Sequence, residues 1–254
     1  MRVITVTSGK GGAGKTFFSL NLAYALAKLN RSVTLIDANF TTPNTAVMSG
    51  YLTFYNTIHD FLSERIVDAN KIVYRTPYGF KIVPGSIDLE SMINARIENF
   101  REFLQKIRDE FIIIDSAAGI GREAMSSILN SNEIILIVNP EITSIIDAKR
   151  VLEVCKRINK KILAIVANKV SHKKEVERIQ EYLKEDVSII LPEDKRVKIS
   201  IEKRIPFLEL YPNSFISAQI FSLASYLSGE LMDFKPSLME RIRFWKVIWT
   251  YLKL

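Results

Sequence analysis

The sequence predicts an α/β fold, in which one doubly wound, mainly parallel sheet carries helices on both faces. Three observations predict it. Near-continuous apolar runs, typical of buried parallel strands, recur along the chain. Helical patterns separate these runs, so strands and helices alternate. A glycine-rich stretch, residues 8–16, joins the first apolar run (2–7) to the first helical pattern (17–27).

The composition is that of a globular protein, with 254 residues of which 48% are hydrophobic and 25% charged. A formal net charge of +7 favours an anionic partner, which leaves nucleotides, nucleic acids and acidic lipids open. The single cysteine, Cys155, excludes a disulfide scaffold and argues against cysteine-ligated zinc or iron–sulfur sites. The N-terminal apolar run is too short for a secretory signal, so we expect a cytoplasmic location.

The glycine-rich stretch matches the phosphate-loop pattern G-x-x-x-x-G-K-[S/T] through Gly9, Gly14, Lys15 and Thr16. Glycines allow successive N–H groups to surround phosphate oxygens, and the following helix directs its positive end to the same place. We expect Lys15 to reach the β- and γ-phosphates and the Thr16 hydroxyl to ligate Mg²⁺. The alternative is a turn without a ligand. The predicted fold is therefore of the P-loop NTPase type.

A second lysine, Lys10, lies inside this loop. The string from Lys10 to Thr16, KGGAGKT, resembles the deviant Walker A box of the MinD/ParA family of ATPases. In that family the extra lysine contacts the partner subunit's phosphates, so the resemblance implies an ATP-dependent homodimer with ATP and Mg²⁺ as cofactors. The alternative for Lys10 is a solvated loop lysine. Nucleotide-binding positions implied in this stretch are Gly9, Lys10, Gly11, Gly12, Ala13, Gly14, Lys15, Thr16 and Phe17.

The second predicted strand, residues 32–37, ends in a carboxylate, Asp37. With the residues up to Asn44, this end resembles the family's switch I, D-x-D-x-x-x-x-N. Asn39 replaces the second aspartate, which in the family positions or activates the attacking water. The resemblance implies ATP hydrolysis with Lys10, Lys15, Asp37 and Asn39 as catalytic positions, slowed because of Asn39.

In the middle of the chain, a hairpin is predicted from 71–74 and 80–83, then a helix over 96–109. The strand 111–115 ends in Asp115 and has the Walker B form, so Asp115 joins Thr16 and Asp37 in a predicted Mg²⁺ site. The alternative for Asp115 is capping of the next turn. The following residues resemble the D-S-P-A-G-I of MinD proteins, which implies a switch II at Gly119.

Three further strands are predicted over 134–138, 162–167 and 187–191. Asn168 resembles the family's base-contacting asparagine, with a turn-forming Asn-Lys as the alternative. Pro192 and Asp194 resemble the P-E-D on the adenine side of the pocket. A last helix, 213–227 with Asn213 as its N-cap, closes a P-loop ATPase domain of residues 1–229.

The C-terminal residues predict a linker, 230–237, and an amphipathic helix, 238–254. Its apolar stripe lies on the side of the helix opposite the basic residues. The stripe contains Leu238, Ile242, Trp245, Ile248, Trp249 and Leu252. This pattern is typical of an interfacial helix on anionic lipid, here the cytoplasmic face of the cell membrane. The alternative is a helix packed on the domain or on a second subunit.

Three functions follow. The first is a MinD-like switch that dimerises with Mg-ATP and binds the membrane peripherally. It would position or recruit partner proteins, and an unidentified protein would regulate or activate it. The second is a ParA-like DNA-partition ATPase that binds nucleic acid through a basic surface, formed by Lys156, Arg157, Lys160, Lys161, Lys173 and Lys174. The third is a nucleotide-dependent scaffold in which Asn39 permits little hydrolysis.

Overall fold

One eight-stranded sheet organises the computed structural model, which describes residues 1–50, 53–230 and 234–244. In chain order the strands are β1 Arg2–Ser8, β2 Val33–Ala38, β3 Tyr74–Arg75, β4 Lys81–Val83, β5 Phe111–Ser116, β6 Glu133–Val138, β7 Lys161–Val170 and β8 Ile189–Pro192. Across the sheet the order is β3-β4-β2-β5-β1-β6-β7-β8. Only the short β3 pairs antiparallel, with β4. The predicted mainly parallel sheet is confirmed.

Helices cover both faces of this sheet. In chain order they are α1 Lys15–Lys28, α2 Thr45–Met48, α3 Ile58–Leu62, α4 Leu89–Asn94, α5 Phe100–Lys106, α6 Arg122–Leu129, α7 Ile142–Arg157, α8 Lys173–Leu183, α9 Lys195–Lys203, α10 Phe207–Leu210, α11 Phe215–Ser228 and α12 Leu238–Arg243. Two 3-10 helices, Ala69–Ile72 and Ile97–Asn99, interrupt the connections. The described part of the chain thus has the predicted doubly wound architecture.

The central strands are buried on both sides, which explains their unbroken apolar sequences. In β6, Ile135 and Ile137 belong to the cluster formed with α1 and α11, whereas Ile134 and Leu136 belong to the cluster formed with α7 and α8. Alternate residues of a strand point to opposite faces. Each face therefore needs its own apolar set, and the strand shows no polar alternation.

Three local predictions were wrong. The first hairpin strand is only Tyr74–Arg75, because residues 69–72 form a 3-10 helix that is capped by Asp68. The helix predicted over 96–109 is a 3-10 turn followed by the shorter α5. The N-cap of α11 is Ser214, not Asn213, since the Ser214 side chain accepts the N–H of Ser217 at 3.0 Å.

The parallel arrangement places the carboxyl ends of neighbouring strands at one edge. Strand β5 lies between β1 and β2, and Asp37 of β2 is in register with Asp115 of β5. The glycine-rich loop follows β1 at the same edge. Open α/β sheets bind ligands outside the carboxyl ends of their strands. The fold thus brings all three sequence features to one place.

At the C-terminus, Ser237 caps α12, since its side chain accepts the N–H of Glu240 at 3.3 Å. Leu238 and Ile242 of the predicted apolar stripe lie on α12. The other four stripe positions lie outside the described residues: Trp245, Ile248, Trp249 and Leu252. None of the helices in the described part of the chain has the length and apolarity that a membrane span requires.

Candidate functional site

The loop between β1 and α1 presents unpaired main-chain donors. The first helical hydrogen bond of α1 runs from the Phe18 N–H to the Gly14 carbonyl, at 3.0 Å. The N–H groups of Lys15, Thr16 and Phe17 come before it and have no helical acceptor. Gly14 has φ +98°, and a Cβ there would lie 2.3 Å from Nδ2 of Asn168. Only glycine fits this position, so the N–H groups remain open to an anion.

Neighbouring loops hold this loop in place. Asn168 at the end of β7 donates Nδ2 to the Ala13 carbonyl at 2.8 Å. Lys169 donates Nζ to the Gly12 carbonyl at 3.1 Å. After β5, the Gly119 N–H donates to the Ser8 carbonyl at 2.7 Å. The predicted base-contacting residue and the predicted switch II glycine therefore both contact the phosphate loop directly.

The two lysines of the loop have different environments. Lys15 is half-buried and donates Nζ to Ser8 Oγ at 3.2 Å. Burial lowers the pKa of Lys15, and the charge of Asp115 partly opposes this. Lys10 is exposed, and its Nζ lies 3.3 Å from the hydroxyl of Thr143 on α7. Lys15 therefore points into the site of its own chain, whereas Lys10 lies at the surface.

Two buried carboxylates lie side by side behind the loop. Asp115 accepts the Thr16 hydroxyl at 2.6 Å and the Thr45 hydroxyl at 3.2 Å, both at Oδ2. Asp37 accepts the N–H groups of Thr45 and Asn44 at 2.9 Å each. Thr45 thus bridges the two carboxylates, and Thr16 connects them to the phosphate loop.

Burial raises the pKa of both carboxyls. For Asp37 the charge of Asp115 adds to the effect of burial, and main-chain donors only partly offset it. For Asp115 burial is again the largest cause, opposed by the Thr16 hydroxyl and the charge of Lys15. Two buried negative charges at neighbouring strand ends are costly without a cation. A cation at this position would relieve that cost.

The donor set fits Mg²⁺ bound together with a nucleotide. The Thr16 hydroxyl and the carboxylates of Asp115 and Asp37 offer the oxygen ligands that Mg²⁺ prefers. No group of three or more histidine, cysteine or acidic side chains suited to a metal occurs among the described residues. Mg²⁺ usually needs only one or two protein carboxylates, because phosphates and water complete its coordination.

The segment that resembles switch I, residues 37–44, is held by its own side chains and by those of neighbouring helices. Asn39 donates Nδ2 to the carbonyl and hydroxyl oxygens of Thr42, at 2.7 and 2.9 Å. The next residue, Phe40, accepts a hydrogen bond from buried His59 at 2.9 Å. Beyond it, the Thr41 hydroxyl donates to Glu123 of α6. The amide of Asn39 therefore ties the loop to itself, which a carboxylate at this position could not do in the same way.

Two predicted nucleotide contacts have side chains engaged elsewhere. The Phe17 ring is buried in the core, 5.7 Å from the Phe207 ring, so only its main chain faces the loop. Asp194 caps α9 and pairs with Arg196 at 2.6 Å and with Arg243 at 3.4 Å. Burial acts to raise the pKa of Asp194, but the hydrogen bonds and charge of Arg196 outweigh it and lower the pKa. Pro192 is buried at the end of β8.

The basic residues proposed for nucleic acid are largely engaged within the chain. Lys156 pairs with Glu185, and Lys173 with Glu177. Lys160 donates to the carbonyls of Leu129 and Ser131. Lys161 pairs with Glu133 at 2.6 Å. These contacts fit a solvated surface and give no specific support to DNA binding.

Comparison with known proteins agrees with this geometry. The family model for the CobQ/CobB/MinD/ParA nucleotide-binding domain matches residues 4–207. The chain belongs to the MinD/ParA family. It is 35% identical over 231 residues to an uncharacterized ATP-binding protein of Methanocaldococcus jannaschii, covering 89% of this chain and 87% of that protein.

Two further relatives have functional names. The antiactivator FleN of Pseudomonas aeruginosa is 30% identical over 252 residues, covering 93% of this chain and 89% of FleN. The septum site-determining protein MinD of Synechocystis is 29% identical over 260 residues, covering 95% of this chain and 97% of MinD. Site-determining ATPases are thus among the relatives of this MinD/ParA-family ATPase.

Solved structures show the same similarity. MinD of Pyrococcus horikoshii, complexed with Mg-ADP, has a TM-score of 0.83 at 30% identity, covering 89% of this chain and 95% of that chain. The MinC:MinD complex of Aquifex aeolicus has a TM-score of 0.79 at 28% identity, covering 92% and 98%. Nucleotide and Mg²⁺ thus occur in a structure that this MinD/ParA-family chain resembles.

Sequence reasoning missed two site residues of this MinD/ParA-family chain. Ser8 accepts Lys15 and donates to the carbonyl of Lys10 at 2.8 Å. Thr45 bridges the carboxylates, as described above. Their positions in the sequence could have indicated both residues. Ser8 directly precedes the phosphate-loop pattern, and Thr45 directly follows Asn44 of switch I.

Asp115→Asn should remove most of the Mg²⁺-dependent part of nucleotide binding, because an amide is a poor ligand for Mg²⁺. At a ligand concentration of about 100 Kd, Mg-ADP stabilises the wild type by about 2.7 kcal/mol, and tenfold weaker binding removes about 1.3 kcal/mol of this. Thermal unfolding with ADP, with and without Mg²⁺, measures the difference.

The matched control is Asp109→Asn. Asp109 is also a buried aspartate near β5, but it precedes the strand and pairs with Lys81 at 2.7 Å. Asp109→Asn should lower the stability of the protein. It should leave unchanged the additional stabilisation by ADP that depends on Mg²⁺. An Asp115→Asn variant that keeps the full increment would rule out Asp115 as part of the Mg²⁺ site.

Proposed function

We propose that this MinD/ParA-family protein is a MinD-like switch. It binds Mg-ATP at the loop between β1 and α1, dimerises in that state, and associates with the cytoplasmic face of the cell membrane through its C-terminal helix. The two tails of a dimer would bind lipid together, so that dimerisation strengthens a weak individual contact. Nucleotide state would then control membrane association.

The position of Lys10 is the observation that carries the proposal. Its ammonium lies at the surface beside Thr143, while Lys15 occupies the interior of the same loop. One lysine already serves the site of its own chain, so an exposed second lysine is suited to phosphates bound by another copy. A phosphate from a second subunit would be a stronger partner for Lys10 than one hydroxyl at 3.3 Å.

Within one subunit, each polar group has a separate role. Main-chain N–H groups from Lys15 to Phe17 and the Lys15 ammonium would bind phosphate oxygens. Thr16 and Asp115 would hold Mg²⁺, which supplies charge neutralisation between the phosphates when bound. Asp37 fixes switch I through the main chain of Asn44 and Thr45. Asn168 and the main chain near Pro192 and Asp194 would border the base.

Hydrolysis is proposed to be slow because the second aspartate of switch I is absent. Asn39 has no carboxylate to orient or activate water, and its amide is bound to Thr42. A protein that holds ATP for long periods would keep its dimer and its partner bound. This property also supports the scaffold hypothesis, and measured turnover separates the scaffold from a cycling switch.

The membrane part of the proposal rests on α12. Leu238 and Ile242, both predicted to face lipid, are largely exposed on this helix, and Arg241 is exposed beside them. Exposed apolar and basic side chains on one helix suit an anionic lipid surface. For a protein regulator, the MinC:MinD complex supports the proposal by similarity only, and the identity of the partner remains to be found by experiment.

The first prediction concerns Lys10. Lys10→Ala should bind ATP nearly as well as the wild type but remain monomeric with Mg-ATP, because the contribution to the partner's site is lost. Light scattering after gel filtration measures the mass with Mg-ATP, with Mg-ADP and without nucleotide. Lys198→Ala, which changes another exposed lysine, should dimerise normally. Normal dimerisation of Lys10→Ala would reject the assigned role.

The second prediction concerns lipid. Sedimentation with anionic vesicles should retain the wild type with Mg-ATP at least about tenfold more strongly than with Mg-ADP or without nucleotide. Equal binding in all three states, or in none, would eliminate the switch. The same ATP-loaded sample is tested with nonspecific DNA at low salt, where salt-sensitive retention without lipid binding would favour the DNA-partition alternative.

The third prediction concerns Asn39. Asn39→Asp should raise the single-turnover hydrolysis rate by about tenfold or more, because a carboxylate near the attacking water acts as a base or orients it. Asn39→Ala is the control, since it removes the bonds to Thr42 without supplying a carboxylate. If the wild type already matches Asn39→Asp, the slow-hydrolysis proposal is wrong.

A further inference from the structure

The C-terminal helix α12 contacts the domain through its charged side. Leu238, Met239 and Ile242 are 70%, 80% and 66% exposed, whereas Glu240 and Phe244 are each 8% exposed. A helix on a protein surface ordinarily buries its apolar stripe. Here the apolar side chains face outward and a carboxylate faces inward. The helix must therefore be held by contacts other than its apolar side chains, and its outward face is free to contact a partner.

A cluster of charges holds the helix. Arg196 of α9 donates Nη2 to Asp194 at 2.6 Å and to Glu240 at 2.8 Å. Arg243 of α12 adds a contact with Asp194 at 3.4 Å. Glu240 also accepts the Phe215 N–H at 3.2 Å, in the first turn of α11, where the helix dipole favours an anion. Arg196 therefore joins a carboxylate of the domain to a carboxylate of the C-terminal helix.

Contacts at both ends of the segment support this attachment. The Ser237 N–H donates to the Asn213 carbonyl at 3.2 Å before the helix. The Phe244 ring lies 6.2 Å from the Phe215 ring after it. The segment 237–244 is thus bound at its start, its middle and its end. Docking does not use the apolar side chains of α12 at all.

The outward face combines apolar and basic groups. Arg241 is exposed on α12, next to the three apolar side chains. On α9, the helix that carries Arg196, the exposed charged residues are Lys195, Lys198, Lys203 and Glu202. Basic residues therefore outnumber acidic ones among the exposed charged residues of α9 and α12. An anionic lipid surface is complementary to both properties.

We propose that Arg196 docks the base of the C-terminal helix on the domain and so presents Leu238, Met239 and Ile242 to an anionic lipid surface. The docked segment is part of the domain and is not a free tether. The direction of its helix is therefore fixed before the protein binds lipid. Preordering of this kind lowers the entropy cost of binding. The lipid half of the inference rests on the proposed membrane association, and the docking half does not.

Docking is tested on the full chain without lipid. Hydrogen exchange of the main-chain N–H groups of residues 237–244 reports on the docked segment. Arg196→Gln and Glu240→Gln should both speed this exchange, because loss of one partner of a buried ion pair shifts docking about tenfold or more. Lys198→Ala should leave the exchange unchanged. Unchanged exchange in both the Arg196→Gln and the Glu240→Gln variants would overturn the docking.

Folding of each variant is checked separately, so that a misfolded protein is not mistaken for an undocked one. Circular dichroism and thermal unfolding with Mg-ADP should show an intact nucleotide domain. Arg196→Lys, which keeps the charge but not the forked donors, should restore part of the protection. Phe244→Ala, which leaves the charge cluster intact, gives an independent way to loosen the segment. If Phe244→Ala also leaves the hydrogen exchange of residues 237–244 unchanged, the docking is again overturned.

The lipid half uses vesicles of phosphatidylcholine with phosphatidylglycerol, and pure phosphatidylcholine vesicles as the neutral control. Leu238→Gln combined with Ile242→Gln should keep the hydrogen exchange of residues 237–244 at the wild-type rate and weaken anionic vesicle binding about tenfold. Arg196→Gln should weaken it roughly threefold, because the helix must then be ordered on binding. Equal or tighter binding by Arg196→Gln would overturn the presentation of the helix.

Two further outcomes separate the inference from the proposed function. If the paired glutamine variant loses a dimer in lipid-free solution, the apolar face contacts a second copy and the lipid assignment is wrong. If the wild type binds no vesicles in any nucleotide state, the proposed membrane association fails together with the lipid half. The hydrogen-exchange measurements still decide the docking in that case.

Discussion

Two carboxylates buried side by side are the constraint on which the rest of the site depends. Asp37 and Asp115 end neighbouring parallel strands, so their charges meet in a region from which water is excluded. Donors from several elements are directed at them. Thr16 from α1 and Thr45 from α2 bind Asp115, and main-chain N–H groups of switch I bind Asp37. Because Thr16 and Thr45 donate to the same carboxylate, the phosphate loop is fixed relative to switch I.

The same edge of the sheet collects three other connections. Gly119 after β5 bonds to Ser8, and Asn168 at the end of β7 bonds to Ala13. The phosphate loop is therefore held by the loops that would respond to the nucleotide. These loops are close together because each follows a parallel strand, and close approach requires small residues at the contact points. Gly14, against the Asn168 amide, is the clearest case.

Much of this arrangement was predictable. The strands that end in Asp37 and Asp115 and the phosphate loop follow from local pattern and residue type. Side-chain pairings between distant residues did not. The Phe17 ring packs in the core against Phe207, which leaves only the main chain of Phe17 for the nucleotide. The Asp194 carboxylate pairs with Arg196, so here too the nucleotide-binding prediction stays a prediction for the main chain alone.

By itself, the sequence determined the fold class, the phosphate loop and the family, because these depend on contiguous residues whose spacing is visible along the chain. Tertiary structure alone decided which carboxylates meet, that Thr45 bridges them, and that Glu240 binds Arg196 across 44 positions. Pairings of that kind depend on how the sheet and helices place distant segments. They cannot be predicted from the local periodicity of the sequence. For this reason the docking of α12 through Glu240 became visible only in the folded chain.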